Sequence, residues 1–550
     1  MYRDNPQASK YIPSKRITLL PEYNGTYSTT TNNQMRFHIP RNVGFVDTND
    51  LVMRMNVKIN GSVSNWLRFN PRCNGHALFR SMRVTDGMNS CVLDDNTAYN
   101  SLASIMEKFS ENDTIRNKKT LTQGLQNPAG LTSNYNLFYQ PEGNWVTETV
   151  TANSSPKDLQ IELPFTYSNL LHSGKVLPVV AFNGINIQAN IDELNRVLQP
   201  ASDICSSLAS NTVYAESVTA KTGGTSDEKT AIGDTFTMVV KKTGASAGNL
   251  NVEHGNDCFF KIHDELMIKD ATNEESLGFI TQMKNDGTGQ LEITYIPNRA
   301  NGTKITNSFA AGSNLFYNVV RRVEGFTGDG TNLPSSISLT APSLSVSNVK
   351  LVASQISPPP DWVKSLTSQI NSSEGFGFNY KQYINVRNTL PANNGMLQQM
   401  IPQNYTAVYS MLSLPCDNAK YSVLTDDPWE PAVDGQKEYQ MVHGGQNITN
   451  RPVKIERYAL SPSKNDPLHM NELIKGLENC DIPVRNLVDL PNRFAIGRAF
   501  SRIPAVADLS NGDLSMKVLY LGATTTKMWD NFLCINALVS IKNENIVVSR

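Results

Sequence analysis

The sequence predicts an all-β fold, and three observations carry that expectation: apolar residues at every second position, turn signals between those runs, and few stretches with helical spacing. Leu51, Met53, Met55, Val57 and Ile59 alternate with Val52, Arg54, Asn56 and Lys58, as a strand buried on one face must. Met35, Phe37 and Ile39 repeat the pattern around Arg36 and His38 and stop at Pro40. Leu344 and Val346, then Val349, Leu351 and Ala353, keep the period with one slip, the signature of a β-bulge. Near the C-terminus, Leu514, Met516, Val518 and Tyr520 alternate, followed by Ile535, Ala537, Val539 and Ile541. Thr85-Asp86-Gly87, Asn285-Asp286-Gly287 and Ser510-Asn511-Gly512 supply turns between such runs.

Helical spacing occurs in three places. Thr97 can cap a helix in which Ala98, Leu102, Ile105, Met106 and Phe109 share a face. Asp466-Pro467 is a helix start, with Met470, Leu473, Ile474 and Leu477 as its apolar stripe. A short helix from Asp361 through Trp362, Val363, Leu366 and Ile370 follows Pro358-Pro359-Pro360, a stiff linker that reads as the boundary between two main domains. Residues 205–340 differ from their flanks. A Gly/Thr/Ser/Lys-rich run, Thr219–Thr230, precedes short strands at Thr235–Val240, Cys258–Ile262, Leu266–Ile268 and Leu291–Tyr295. The flanking strands Ile185–Ile191 and Leu344–Ala353 look like neighbours in one sandwich, so the segment reads as a small β-domain inserted in a loop. The expected division is an N-terminal arm at 1–24, a first domain at 25–204 and 341–360, the insert at 205–340, and a second domain at 361–550.

Composition narrows the function. The 550 residues are enough for several domains, and the charged fraction of 18% is below the roughly 25% usual for globular proteins. Surfaces so poor in charge suit packing against copies of themselves. A net charge of −1 speaks against a dedicated nucleic-acid-binding role, which needs a basic excess. Cys73, Cys91, Cys205, Cys258, Cys416, Cys480 and Cys534 stand singly, with no CxxC pair, so neither a disulfide framework nor a zinc site is indicated and a reducing compartment fits. Met1–Arg16 lacks the apolar core of a signal peptide. The longest apolar run, Val176–Phe182, falls far short of the ~18 residues that span a membrane. A soluble chain made inside a cell is expected.

Candidate chemistry is sparse. No HExxH, GxSxG or GxxxxGK[ST] motif occurs, and Gly174-Lys175 lacks an upstream glycine loop. In His263-Asp264-Glu265 only His263 and Glu265 could share a strand face, and a solvated hairpin end is the better reading. Asp94-Asp95 and Asp426-Asp427, beside Asn96 and Pro428, read as turn and cap residues rather than an acid–base pair. His38, His76, His172, His254, His443 and His469 show no ligand spacing. Trp66, Trp145, Trp362, Trp429 and Trp529 read as core or interface side chains rather than stacking platforms. Arg116-Asn117-Lys118-Lys119 reads as a solvated loop. No catalytic residue, cofactor or metal ligand is therefore assigned, and no enzyme is expected.

One stretch carries a resemblance. Ile161-Glu162-Leu163-Pro164-Phe165, then Lys175-Val176-Leu177-Pro178-Val179-Val180-Ala181-Phe182 and the strand from Gly184 to Ile191, resembles a stretch of the double jelly-roll major capsid proteins of nucleocytoplasmic large DNA viruses, virophages and polinton-like viruses. Tyr23-Asn24-Gly25, Met35–Pro40 and the Asp47 turn before Leu51 look like the first two strands of the polinton-like group. The resemblance covers about a third of the chain. It implies two consecutive eight-stranded jelly rolls, homotrimers forming pseudo-hexagonal capsomers, and an icosahedral virion shell around a DNA genome. It also implies neighbouring capsomers, penton and minor capsid proteins as partners, no sequence-specific nucleic-acid binding, and an N-terminal arm (Met1–Leu20) inside the shell, an extended tie that can approach an internal membrane. The alternative from the residues themselves is a carbohydrate-binding or adhesin β-sandwich of a viral or cellular appendage. A β-sandwich hydrolase is a third, weakened by the lack of converging carboxylates or a triad.

Overall fold

The computed structural model describes most of residues 14–110, 158–200 and 343–550, a few positions between 115 and 123, and six strands between 213 and 317. The first half opens with β1 (Ser14–Leu19), β2 (Tyr27–Ser28), β3 (Gln34–Ile39), β4 (Phe45–Asn60) and β5 (Leu67–Phe69). It continues through β6 (Phe79–Asp86), β7 (Val92–Asn96), helix α1 (Tyr99–Ser110), β8 (Asp158–Pro164), β9 (Val176–Leu177) and β10 (Ile185–Ile191). A helical turn α2 (Leu194–Val197) and β11 (Leu198–Pro200) then lead toward six strands, β12 (Val213–Ala220) to β17 (Asn314–Tyr317), that close into a barrel. The chain returns through β18 (Ser343–Ile356) to helix α3 (Pro360–Ile370).

One sheet has the main path β1-β18-β4-β8, and the sheet facing it has the order β3-β10-β6-β7. Counting these eight strands from one to eight along the chain, the sheets read 1-8-3-6 and 2-7-4-5, the double Greek key of a jelly roll. The second half repeats the order. Its strands are β19 (Phe376–Leu390), β20 (Gly395–Ile401), β21 (Val408–Asp417), β22 (Gln436–His443), β23 (Gln446–Asn447) and β24 (Val453–Lys454). After helix α4 (Pro467–Asn479) come β25 (Ile496–Ala499), β26 (Leu514–Tyr520), β27 (Lys527–Lys542) and β28 (Asn545–Ser549). The sheets run β19-β27-β21-β25 and β20-β26-β22-β23, again 1-8-3-6 and 2-7-4-5. Both rolls carry a helix between their fifth and sixth strands, α1 in one and α4 in the other. The chain is a double jelly roll, with the small barrel leaving between the seventh and eighth strands of the first.

The period-2 runs form strands as the alternation requires. Met53, Met55 and Val57 of β4 and Met35, Phe37 and Ile39 of β3 are fully buried. The slip in β18 is a bulge, where its register against β4 shifts between Ser347 and Lys350. Thr85-Asp86-Gly87 turns the β6–β7 hairpin, and Asp86 caps that turn by accepting the Cys91 amide at 2.6 Å.

Three readings are corrected. Residues 14–19 are not part of a free arm: they form β1, paired residue for residue with Leu351–Ile356 of β18. Ile185–Ile191 and Leu344–Ala353 belong to one sandwich but to opposite sheets, not adjacent positions. Asp94-Asp95 lies within strand β7, not in a turn. Helix α1 has no solvent face: Asn100, Ser101, Ser104, Glu107 and Lys108 are as buried as its apolar stripe, with Trp429 of the second roll over Ser101 and the first roll's Asp192, Asn74 and Tyr167 holding Asn100 and Glu107.

Candidate functional site: the seam between the rolls and the outer sheet faces

Strand β27 shows how the two rolls are joined. Trp529, Leu533 and Ile535 point into the core between the two sheets of the second roll. Met528, Phe532 and Cys534 alternate to the other face and belong to a cluster that also contains the first roll's core. A strand buried on both faces reads as a continuous apolar run rather than an alternation. Farther along, Ala537, Val539 and Ile541 sit opposite Tyr380, Phe378 and Phe376 of β19, and all six join the shared cluster. Phe378 meets Phe182 of the first roll edge to face, with ring centroids 6.4 Å apart.

Polar groups register this apolar seam. The Tyr380 hydroxyl donates to the Leu93 carbonyl, and Lys175 Nζ donates to the Asn379 carbonyl at 2.7 Å and to its Oδ1 at 2.9 Å. The Arg485 amide donates to the Phe109 carbonyl at 2.8 Å. The loop between β21 and β22 reaches over the first roll with two aromatic side chains. Trp429 is fully buried in the shared cluster, and its Nε1 donates to Ser101 Oγ of α1 at 3.0 Å. Tyr421 lies between two guanidinium groups, Arg196 of the first roll 4.0 Å and Arg387 of the second 5.2 Å from its ring centroid. Each arginine is held in turn by a buried carboxylate. Arg196 donates to Asp192 at 2.6 Å, and Arg387 clasps Asp530 through Nε at 2.7 Å and Nη2 at 3.0 Å. Burial works against the Arg387 charge, but Asp530 outweighs it and holds the guanidinium more firmly protonated than usual.

Beneath the seam, α1 closes over a polar network that the sequence does not announce. Glu107 Oε1 accepts from the Tyr167 hydroxyl at 2.5 Å and Lys119 Nζ at 3.3 Å, and Oε2 accepts from Asn74 Nδ2 at 2.6 Å. His76 faces Tyr99 and Tyr167, and burial lowers its pKa to about 4, so it is neutral at physiological pH. Asp94 accepts from Ser168 Oγ at 2.8 Å, yet burial pushes its carboxyl up to about 6. These groups interlock α1 with the turn before β6, with β7 and with the segment after β8.

Other candidate residues disperse. Asp95, on β7 beside Asp94, points to the opposite face and is partly exposed. Lys119 of the basic run pairs with Glu107. His263, Asp264, Asp426, Asp427, Trp66, Trp145 and Arg116–Lys118 lie outside the described residues, and Glu265 is the first residue of β14 (Glu265–Lys269). Trp362 is half-buried and packs on Phe45 at 5.1 Å, and Trp529 fills the second core. Among the described residues no three metal-capable side chains converge, and no helix is long and apolar enough to cross a membrane. Large apolar side chains point outward instead. Met396 and Met400 of β20 and Leu521 just past β26 are 54%, 46% and 55% exposed, with Met396 directly opposite Leu519. Leu538 and Val547, on adjacent strands β27 and β28, are 42% and 58% exposed.

No protein-family model matches the chain, and a search of curated proteins finds no match. Among solved structures, the chain is similar to the Faustovirus major capsid protein at 12% identity, covering 96% of this chain and 91% of that one, with a TM-score of 0.48. It is similar to the PBCV-1 virus capsid at 10% identity, over 98% of this chain and 97% of that one, with a TM-score of 0.47. The mavirus major capsid protein is similar at 9% identity, over 97% of this chain and 90% of that one, with a TM-score of 0.38.

Proposed function

We propose that this chain is a major capsid protein that assembles as trimers into pseudo-hexagonal capsomers of an icosahedral virion shell around a DNA genome. The observation that carries the reading is the duplication: two jelly rolls of identical strand order, each with a helix after its fifth strand, joined through one shared core. With two like rolls per chain, three chains around a threefold axis present six rolls, a nearly hexagonal outline from a trimer. Closed rolls limit exposed strand edges, so lateral contacts fall to outer sheet faces and loops. The outward Met396, Met400 and Leu521, and Leu538 and Val547, are apolar surface suited to such contacts, and a charged fraction of 18% limits repulsion between crowded copies. The resemblance of Ile161–Ile191 to capsid proteins points the same way.

The same reading assigns 25–204 with 341–360 to the first roll, 205–340 to an inserted domain on a loop that tolerates additions, and 361–550 to the second roll. The virion is its location, after synthesis in the host cytoplasm and intracellular assembly. Its partners are neighbouring capsomers, penton and minor capsid proteins. With residues 14–19 built into the first roll, a tie between subunits or toward an internal membrane reduces to residues 1–13. Deleting 1–13 leaves trimers intact and impairs shell closure, whereas deleting 1–20 also removes β1 and exposes the edge of β18. Purified chain examined by light scattering and electron microscopy tests the central claim. Trimers with a hexagonal outline are expected. A monomer at high concentration, or a glycan-binding monomer, would overturn it.

A further inference from the structure

Two cysteines that stand singly in the sequence come together at the end of α4. Cys480 follows the helix, and Cys534 lies within β27, opposite Tyr383 of β19 on one side and Ser410 of β21 on the other. Cys480 Sγ is 2.7 Å from Ser410 Oγ, and the Tyr383 hydroxyl donates to the Cys480 carbonyl at 3.2 Å. Both flanking contacts of Cys480 are thus register neighbours of Cys534, which places the two cysteines side by side at the end of α4. Cys480 is 5% exposed and Cys534 not at all, so Cys480 is the outer sulfur. Lys381 Nζ donates to the Asn479 carbonyl at 2.8 Å and pairs with Asp481 at 2.5 Å, which places a cation beside the Cys480 turn. Burial opposes ionisation of both thiols. For Cys480, hydrogen bonds from Cys534 and Ser410 and the Lys381 charge override it and lower the pKa; burial and the Cys480 neighbour raise that of Cys534. As the outer sulfur and the one beside the Lys381 cation, Cys480 is the thiol that peroxide meets first.

We propose that Cys480 and Cys534 form a redox couple that peroxide closes into a disulfide, cross-linking the end of α4 to the strand β27. The Cys480 thiolate attacks one oxygen of hydrogen peroxide, forming a Cys480 sulfenic acid and releasing hydroxide. Cys534 gives up its proton and attacks the Cys480 sulfur, expelling hydroxide, and the two protons and two hydroxides leave as water. Overall, two thiols and one hydrogen peroxide give one disulfide and two waters, with two electrons passing from sulfur to peroxide. Closure sets the sulfurs at about 2.05 Å. The Asp481–Arg485 stretch that follows Cys480 reaches the first roll at Phe109, so the cross-link would fasten the inter-roll seam to the central sheet of the second roll. Reduced thiols permit folding in a reducing cell, and oxidation afterwards hardens the folded protein. This goes beyond the capsid reading and does not depend on it.

The test uses the full-length chain, whatever its oligomeric state. After peroxide treatment the protein is unfolded in acid, alkylated and mapped by mass spectrometry. The expected result is a mass loss of about 2 Da, two fewer alkylated thiols and a linked peptide pair containing Cys480 and Cys534. The urea midpoint should rise on oxidation and return with dithiothreitol. In Cys534→Ser the midpoint should not move, and a sulfenic acid trapped by dimedone should appear at Cys480 ahead of buried Cys416. Full alkylation of both thiols after treatment, or a disulfide mapping to other cysteines, would overturn the proposal. The wild-type map decides it even if the variant does not fold.

Discussion

Trp429→Ala probes whether the two rolls melt as one body. Trp429 is fully buried, projects from the second roll into the cluster shared with the first, and donates to Ser101 of α1. Truncating a buried Trp to Ala costs about 3–5 kcal/mol, and the lost hydrogen bond adds about 1 kcal/mol. The total, about 4–6 kcal/mol, is large against a typical stability of about 5–15 kcal/mol. Its effect on the melting temperature depends on the cooperative unit. With an unfolding entropy of about 2.1 cal/mol/K per residue, 550 residues unfolding together give about 1.2 kcal/mol/K, and the midpoint falls by about 3–5 °C. If a roll of about 200 residues melts alone, the entropy is about 0.4 kcal/mol/K and its midpoint falls by about 10–15 °C. Differential scanning calorimetry distinguishes the cases. Because the seam is a continuous core, a single transition is expected in the wild type, and in Trp429→Ala a broadened or split one as the rolls uncouple. Trp429→Phe, which keeps most of the buried area, should lose about 1–2 kcal/mol. A midpoint within 1 °C of wild type in Trp429→Ala, with one sharp transition, would refute the claim that this side chain anchors the seam.

Three further outcomes follow from the same geometry. Tyr421→Ala removes the ring shared by Arg196 and Arg387 and should cost about 2 kcal/mol in urea unfolding, whereas Tyr421→Phe keeps the ring and should cost well under half of that; equal losses would contradict the cation–ring account. Gly497→Ala should cost about 1–3 kcal/mol, because a Cβ there would lie 2.8 Å from Leu473 Cα and wedge α4 off β25; an unchanged midpoint would show the helix can give way. The buried pair of titrating groups acts in opposite directions. His76, with its pKa lowered to about 4, supplies stability that is present above the unfolded value of about 6.5 and lost as pH falls through 4, about 3 kcal/mol in all. Asp94, raised to about 6, supplies stability that is present below about 3.9 and lost as pH rises through 6, also about 3 kcal/mol. Asp94→Asn should therefore be more stable than wild type at pH 7 and lose more stability than wild type between pH 6 and 4; parallel pH profiles would contradict the assignment.

Part of this architecture was legible in residue order. The alternation at Met35–Ile39 and Leu51–Val57 gives the buried faces of β3 and β4 directly, because a strand places every second side chain on one side. The slip between Val346 and Val349 marks the β18 bulge, and the helix expected from Asp361 is α3, which starts one residue earlier at Pro360. The limits of that reading are equally physical. Residues 14–19 carry only Ile17 and Leu19 at alternate positions, too short a run to announce a strand, although both pack against the core once β18 pairs with them. Glu107 and Asp94 look like ordinary solvated acids, and their burial follows from elements far away in sequence. Trp429 read as a core or interface side chain, but its partner on α1 was not legible, and Tyr421 gave no local sign of being an anchor, since Arg196 and Arg387 lie on α2 and β19.

The residue pattern alone determined that the chain is all-β and that helices are few, because strand period and turn residues are local properties. Only the tertiary structure decided that both halves share one strand order, that β27 is buried on both faces, that two lone cysteines meet, and that one core runs through both rolls. Those facts depend on which distant surfaces come into contact, and contact between distant segments leaves no period in the sequence.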